Sequence, residues 1–302
     1  MGKYYILCVA GQSNAVGYDE SVIPRGYMSG YQSPRIKQLG FYGEDNLRII
    51  PMGACAQNYQ DLRPYGHDDS VEPGTRGIHL PLAFMLLSQI PADASILVLP
   101  CAYGGTGFTC GQNGSYDQAN MRPIEGRVRW GYDSPYYLAM RDRIAYVLSQ
   151  SDENRFFRMV WCQGEQDGAS PHEQIEAFNR MTKDFFDYFK GKFPHRVYHG
   201  EWNRDIWFNM ETTRYWYTLP GCQIIWNAYR DWNPNTYVEI PRQTDTNAVN
   251  GTGKTTANRE AHFGNNAYAD IIAPLVADAK KKQSKQQSDY EKKKGPLPGL
   301  SF

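Results

Sequence analysis

The chain has 302 residues, enough to bury one sizeable core, and its 32 Lys plus Arg balance 32 Asp plus Glu. A formal net charge of zero excludes an overall field that would draw it onto nucleic acid or an anionic membrane, so neither is expected as a partner. No apolar run reaches the roughly 20 residues needed to span a bilayer, and no basic segment followed by a long apolar run opens the chain, so a protein made in the cytoplasm is expected.

The elements follow in chain order. Apolar runs at 4–10 (YYILCVA), 95–102 (SILVLPCA), 156–162 (FFRMVWC), 196–202 (RVYHGEW) and 222–229 (CQIIWNAY) predict strands, and helical patterns lie between them. That alternation implies an α/β fold with a mostly parallel sheet. Residues 20–80 are rich in Gly and Pro and read as an elaborate loop region, the kind that shapes a pocket. The clearest helix start is Ser170 as N-cap, Pro171 at the first helical position and Glu173 closing a capping box. Ile175, Phe178, Met181, Phe185 and Tyr188 then return every three or four residues and form one apolar face. Tyr268, Ile271, Ile272, Leu275 and Val276 repeat that spacing, with Pro274 expected to kink the helix or shift its start. From Lys280 the composition turns polar and low in complexity, so one domain over 1–279 and a tail over 280–302 are expected. A solvated tail is the favoured reading, and a tether to a larger assembly, such as a virus particle, is the other.

Six cysteines, Cys8, Cys55, Cys101, Cys110, Cys162 and Cys222, stand singly with no C-x-x-C pair. They read as free thiols, and neither metal nor cofactor is expected. Aromatic residues concentrate in 198–237, where Trp202, Trp207, Trp216, Trp226 and Trp232 lie. Rings on loops can stack on sugars, but a buried aromatic is the commoner case.

Four short segments carry residues suited to one chemistry. A serine hydroxyl becomes a good nucleophile only with a base in reach and donors for the oxyanion that forms. Ser13 stands where the first predicted strand breaks into Gly11-Gln12-Ser13-Asn14, and by itself it reads equally as a helix N-cap. Gly104 and Gly105, after the second strand, suit close backbone approach to a ligand or an ordinary turn. Gln163, at the end of the third strand, can donate its amide to an oxyanion or satisfy a loop carbonyl. His262 lies in a loop ahead of the last helix. In an open α/β sheet, loops after neighbouring strands share one crevice at the carboxyl ends, so these segments can meet.

This ordered set resembles the SGNH (GDSL-like) hydrolases, in particular the carbohydrate-esterase branch with sialate O-acetylesterases. The matching motifs are Gly11-Gln12-Ser13-Asn14, Gly104-Gly105-Thr106, Trp161-x-Gln163-Gly164-Glu165 and His262-Phe263, which together span residues 11–263. The resemblance implies a three-layer α/β/α, flavodoxin-like fold and a serine esterase that removes O-acetyl groups from a carbohydrate. It further implies Ser13 as nucleophile, His262 as base, and an oxyanion hole from Ser13, Gly104 or Gly105, and Gln163. Gln12, Asn14 and Glu165 would support the site. Where the family usually carries an aspartate three residues before the histidine, this chain has Arg259, whose side chain cannot accept the imidazole N–H. A Ser-His dyad oriented by a backbone carbonyl is favoured over Glu260 or Asp245 as the orienting acid.

Other readings fit less of the chain. Ala248 to Thr255 (AVNGTGKT) matches a relaxed phosphate-loop pattern, but no apolar strand precedes it. An α/β-hydrolase elbow, G-x-S-x-G, would need glycine where Ala15 stands. Lipid or thioester substrates suit the wider family, although no broad apolar lid is evident. A non-catalytic carbohydrate-binding module would use the tryptophans and need neither Ser13 nor His262.

Overall fold

Along the first strand successive side chains part to two faces. Ile6, Cys8 and Ala10 join one buried cluster, while Tyr5, Leu7 and Val9 join another. A strand apolar on both faces belongs inside a parallel sheet covered on both sides. A computed structural model of the chain, which describes residues 2–17, 27–62, 75–109, 116–117, 122–123, 128–244, 246, 259–264 and 267–276, has that architecture.

The strands are β1 (Tyr4–Gly11), β2 (Ile36–Leu39), β3 (Ile49–Pro51), β4 (Ser95–Ala102), the short pair β5 (Tyr116–Asp117) and β6 (Arg122–Pro123), β7 (Arg155–Cys162), β8 (Trp207–Met210) and β9 (Tyr237–Val238). Seven of them form one sheet in the order β3-β2-β4-β1-β7-β8-β9, parallel except for the antiparallel edge strand β3. The helices are α1 (Ser13–Val16), α2 (His79–Leu86), α3 (Pro135–Gln150), α4 (Pro171–Lys192), α5 (Arg214–Tyr217), α6 (Pro220–Trp232) and α7, over 268–276. Side chains of α3, α4 and α6 pack into one cluster and those of α2 and α7 into the other, so the sheet is the middle of three layers. Among the described residues, no helix is long and apolar enough to cross a membrane.

Three of the five predicted strands form as expected, at β1, β4 and β7. The run at 222–229 is instead helical, within α6. Its buried residues, Cys222, Ile225, Trp226 and Tyr229, fall at helical intervals of three and four, and that period outweighs the richness in Ile and Trp. The run at 196–202 contributes only a single bridge, Phe156 with Val197. The next strand is β8, where the fully buried Asn209 interrupts the apolar run and accepts a hydrogen bond from Trp207 Nε1 at 3.1 Å. The expected loop region 20–80 contains β2, β3 and the start of α2.

Helix α4 starts at Pro171, but the capping box does not form. Ser170 has ψ 59°, away from the extended conformation that turns an N-cap hydroxyl onto the first-turn amides. Helix α7 runs through Pro274 to the last described residue, 276. Trp202, Trp207 and Trp226 are core side chains, whereas Trp216 and Trp232 are partly exposed. The described cysteines are free thiols. Cys110, the 248–255 segment and residues 280–302 lie outside the described residues.

Backbone contact is closest at the end of β1. Gly11 has φ +133°, and a β-carbon there would stand 2.0 Å from the Cys162 carbonyl oxygen. Gly11→Ala is therefore expected to cost about 3 kcal/mol or more, from strain and from the clash with backbone. Urea unfolding followed by circular dichroism checks this as a lowered midpoint.

Candidate active site

Gly11, the last residue of β1, pairs with Ala102 of β4 on one side and Cys162 of β7 on the other. The loops that begin at Gln12, Tyr103 and Gln163 therefore leave the sheet side by side. The chain departs from β1 toward β2 and later places β7 on β1's other flank, so this rim is the sheet's topological switch point. Three of the four expected segments meet here for that reason, and the fourth arrives through side chains.

Ser13 opens α1 and is 5 % exposed. Gln12, just before it, anchors the turn by donating its N–H to Cys162 O at 3.0 Å and by accepting from Ala15 N and Val16 N. Both neighbours of Ser13 also reach Glu165 through their side chains. Gln12 Nε2 donates to Glu165 Oε2 at 2.5 Å, and Asn14 Nδ2 donates to Glu165 Oε1 at 2.6 Å. Thr212 Oγ1, from the loop after β8, donates to the same Oε1. Glu165 is 2 % exposed, and its burial pushes the carboxyl up to about 7 against the opposing pull of the Thr212, Asn14 and Gln12 donors.

Asn14 connects Ser13 with the histidine segment. Its Nδ2 also donates to Ala261 O at 3.0 Å, and its Oδ1 accepts from Phe263 N at 3.1 Å. One amide side chain thus grips the backbone immediately before and after His262. Trp216 Nε1 donates to Ala261 O as well, at 3.0 Å, and Phe263 forms an antiparallel bridge with Thr246. Burial lowers the His262 pKa from 6.5 to about 4, so the imidazole is neutral at pH 7. Arg259 and Glu260 belong to the turn Arg259–Ala261, where the Glu260 side chain is exposed. Asp245 lies outside the described residues.

Two expected oxyanion donors are otherwise engaged. The Gly104 N–H donates to Gln60 Oε1 at 2.9 Å. Gln163 is fully buried, its Nε2 donates to Asp167 Oδ2 at 2.5 Å, and its Oε1 accepts from Gln174 Nε2 and Tyr229 OH, both at 3.2 Å. The donation to Asp167 uses one of the two Nε2 hydrogens. Gly105 follows in the turn after β4 with φ +67°.

Asp167, absent from the sequence expectations, explains where Gln163 points. Its fully buried carboxylate accepts from Phe108 N at 3.1 Å, Thr109 N at 2.8 Å and Thr109 Oγ1 at 2.8 Å, besides Gln163. The signal available was its position inside the same polar loop, four residues after Gln163. Thr212 was missed with its strand, because β8 did not read as one. Among the described residues no group of three His, Cys, Asp or Glu could hold a metal ion.

Comparison with known proteins gives a consistent set of relatives. No family model matches the chain. It is 34 % identical over 237 residues to a protein of Escherichia coli (strain K12) named probable 9-O-acetyl-N-acetylneuraminic acid deacetylase, a match covering 70 % of this chain and 68 % of that one. The crystal structure of NanS superposes with a TM-score of 0.80 at 29 % identity and covers 94 % of this chain and 99 % of NanS. An Arabidopsis thaliana protein (TM-score 0.57, 13 % identity, 94 % and 99 % covered) shares the fold. So does a carbohydrate acetylesterase from Xanthomonas citri (TM-score 0.50, 9 % identity, 92 % and 56 % covered).

Replacing the Asp167 carboxylate by an amide would turn an N–H2 group toward buried donors that now have an acceptor. Asp167→Asn is expected to cost about 3 kcal/mol, the penalty of leaving a buried donor without its acceptor. Denaturant unfolding of the variant beside the wild type measures it.

Proposed function

Because the chain belongs to the sialate O-acetylesterase-like branch of the SGNH hydrolases and is a carboxylic ester hydrolase, we propose that it removes O-acetyl groups from a carbohydrate, sialic acid foremost, through a Ser13–His262 centre. The observation that carries this reading is the grip of Asn14, the residue after Ser13, on the backbone at both sides of His262. Nucleophile and base are thereby kept within one small region of the crevice.

In the proposed reaction, neutral His262 takes the Ser13 hydroxyl proton as Oγ attacks the acetyl carbonyl. The tetrahedral oxyanion collapses, the bond to the sugar oxygen breaks, and His262 returns the proton to the leaving hydroxyl, leaving acetyl-Ser13. Water, deprotonated by His262, then attacks the acetyl carbonyl, and as the second collapse breaks the bond to Oγ, His262 returns that proton to Ser13 and the acetyl group leaves as the acid. The N–H of Ser13 serves as an oxyanion donor in this reading, contributing about 3 kcal/mol to the transition state. The exposed position of Glu260 supports a Ser-His dyad over a triad completed by that acid. Residues 1–279 act as one esterase domain in this account, a reading supported by the single seven-stranded sheet with both faces covered.

Ser13→Ala is expected to lower acetate release from O-acetylated sialic acid, measured with a chelator present, by about six orders of magnitude. Equal turnover by wild type and Ser13→Ala would remove the hydrolase centre from consideration and favour a binding protein. A panel that adds longer acyl esters reads the preference for acetyl groups. Glu260→Gln and Asp245→Asn are each expected to lose less than about tenfold in kcat/KM, or about 1.4 kcal/mol. A larger loss in either would identify it as the orienting acid.

The pH profile follows from His262. The base works neutral, and protonation silences it. With the pKa lowered from 6.5 to about 4, the neutral form persists on acidification until the pH approaches that lower value. Protonation of Glu165, whose carboxyl burial pushes up to about 7, removes one of the two acceptors that Gln12, Asn14 and Thr212 share, so it adds its own step to the wild-type profile near pH 7. The limb that His262 sets in kcat/KM is expected near pH 4 in Glu165→Gln, where position 165 no longer titrates, with a limb at 6.5 as the contrary result.

A further inference from the structure

Four hydrogen-bonded contacts converge around one buried carboxylate and one amide, and they bracket both reacting residues. Gln12 and Asn14, on either side of Ser13, both donate to Glu165. Ala261 and Phe263, on either side of His262, both bond to Asn14. Backbone chemistry fixes how the Asn14 amide is turned: Phe263 N can only donate and Ala261 O can only accept. The Nδ2 group so oriented presents its second hydrogen to Glu165 Oε1. Glu165 itself is held from a third direction by Thr212, on the loop after β8.

We propose that Glu165 is a positioning residue for the hydrolytic centre, acting through Asn14 to lock the Ser13 turn and the His262 segment in register and so standing in for the aspartate absent at position 259. This rests on the Ser13–His262 reading. An aspartate in the usual position would orient the imidazole directly. Here the carboxylate acts two residues and one amide away, on the backbone that carries the imidazole. Its oxygens face donors only: Gln12 Nε2 on Oε2, and Asn14 Nδ2 with Thr212 Oγ1 on Oε1. A glutamine offers one acceptor oxygen where the carboxylate offers two. In Glu165→Gln only one side keeps an acceptor oxygen, so the Gln12 or the Asn14 amide must turn over to meet the new N–H2 group, and the register between base and nucleophile loosens.

The test is a double-mutant cycle of Glu165→Gln and Asn14→Ala, with thermal melting to establish folding and Ser13→Ala as the reference for the underlying reaction. Each single variant is expected to lose about 100-fold in kcat, the scale of a small misplacement of reacting groups, with KM little changed. The double variant is expected to lose no more than the weaker single variant, because both act along one line of contacts. Losses that multiply in the double variant, or a fall confined to KM, would overturn the proposal, since independent structural roles give those results. Wild-type kcat in Glu165→Gln alongside an inactive Ser13→Ala would overturn it too, while leaving the Ser13 centre intact. An active Ser13→Ala would instead overturn the reading beneath it. If Glu165→Gln does not accumulate as folded protein, Asn14→Asp replaces it in the test. That variant keeps an acceptor for Phe263 N, loses both donations from Nδ2, and must show the same fall in kcat, whereas an unchanged kcat would refute the proposal.

Discussion

A carboxylate taken out of water must find donors or cost several kcal/mol, and the rim of this sheet is built around that requirement. Glu165 draws Gln12 and Asn14 from the loop after β1 and Thr212 from the loop after β8. Asp167 draws Phe108 and Thr109 from the loop after β4. Glu211, 2 % exposed, gathers Tyr237 OH, Ile240 N and the Arg242 guanidinium near β9. Each acid satisfies its oxygens with groups from a different strand's loop, so the loops that shape the crevice are joined to one another by buried polar contacts. Such contacts are directional, and they fix positions in a way that apolar packing does not.

The layers beneath serve the same rim. Helix α6 lies so close to the loop after β7 that a β-carbon on Gly164, at φ +128°, would stand 2.0 Å from the Trp226 ring. Trp226 stacks on Tyr229, whose hydroxyl donates to Gln163 and accepts from Gln174 Nε2 at 2.6 Å and from Trp161 Nε1 at 3.3 Å. The glycine in Trp-x-Gln-Gly-Glu is therefore a packing requirement. Tyr229 of α6 thus holds the Gln163 side chain, and Glu165, two residues on, meets Gln12 and Asn14.

Much of the sheet was legible because β1, β4 and β7 are buried on both faces, and an eight-residue strand of that kind reads as a continuous apolar run. Composition misled where it was weighed above period. Residues 222–229 look strand-like by their Ile and Trp content, yet their buried positions recur at three and four. β8 was hidden by Asn209, a polar residue inside a buried strand, whose Oδ1 accepts from a neighbouring indole. The loop-like stretch 20–80 concealed β2 and β3, whose three or four residues are too short for a period to register.

The sequence by itself determined the residue types of the centre and their order along the chain: a serine at a strand's end, glycines and an amide after later strands, and a histidine before the last helix. Those are local properties, since strand runs and turn residues are written in consecutive positions. Only the tertiary structure decided which side chains are already engaged. Gly104 N–H is taken up by Gln60 and the Gln163 amide by Asp167, while Asn14 emerges as the link between Ser13 and the His262 segment. A hydrogen-bond donor has the same chemistry in either role, and which acceptor it meets depends on chain segments up to 249 positions apart, brought together only by folding.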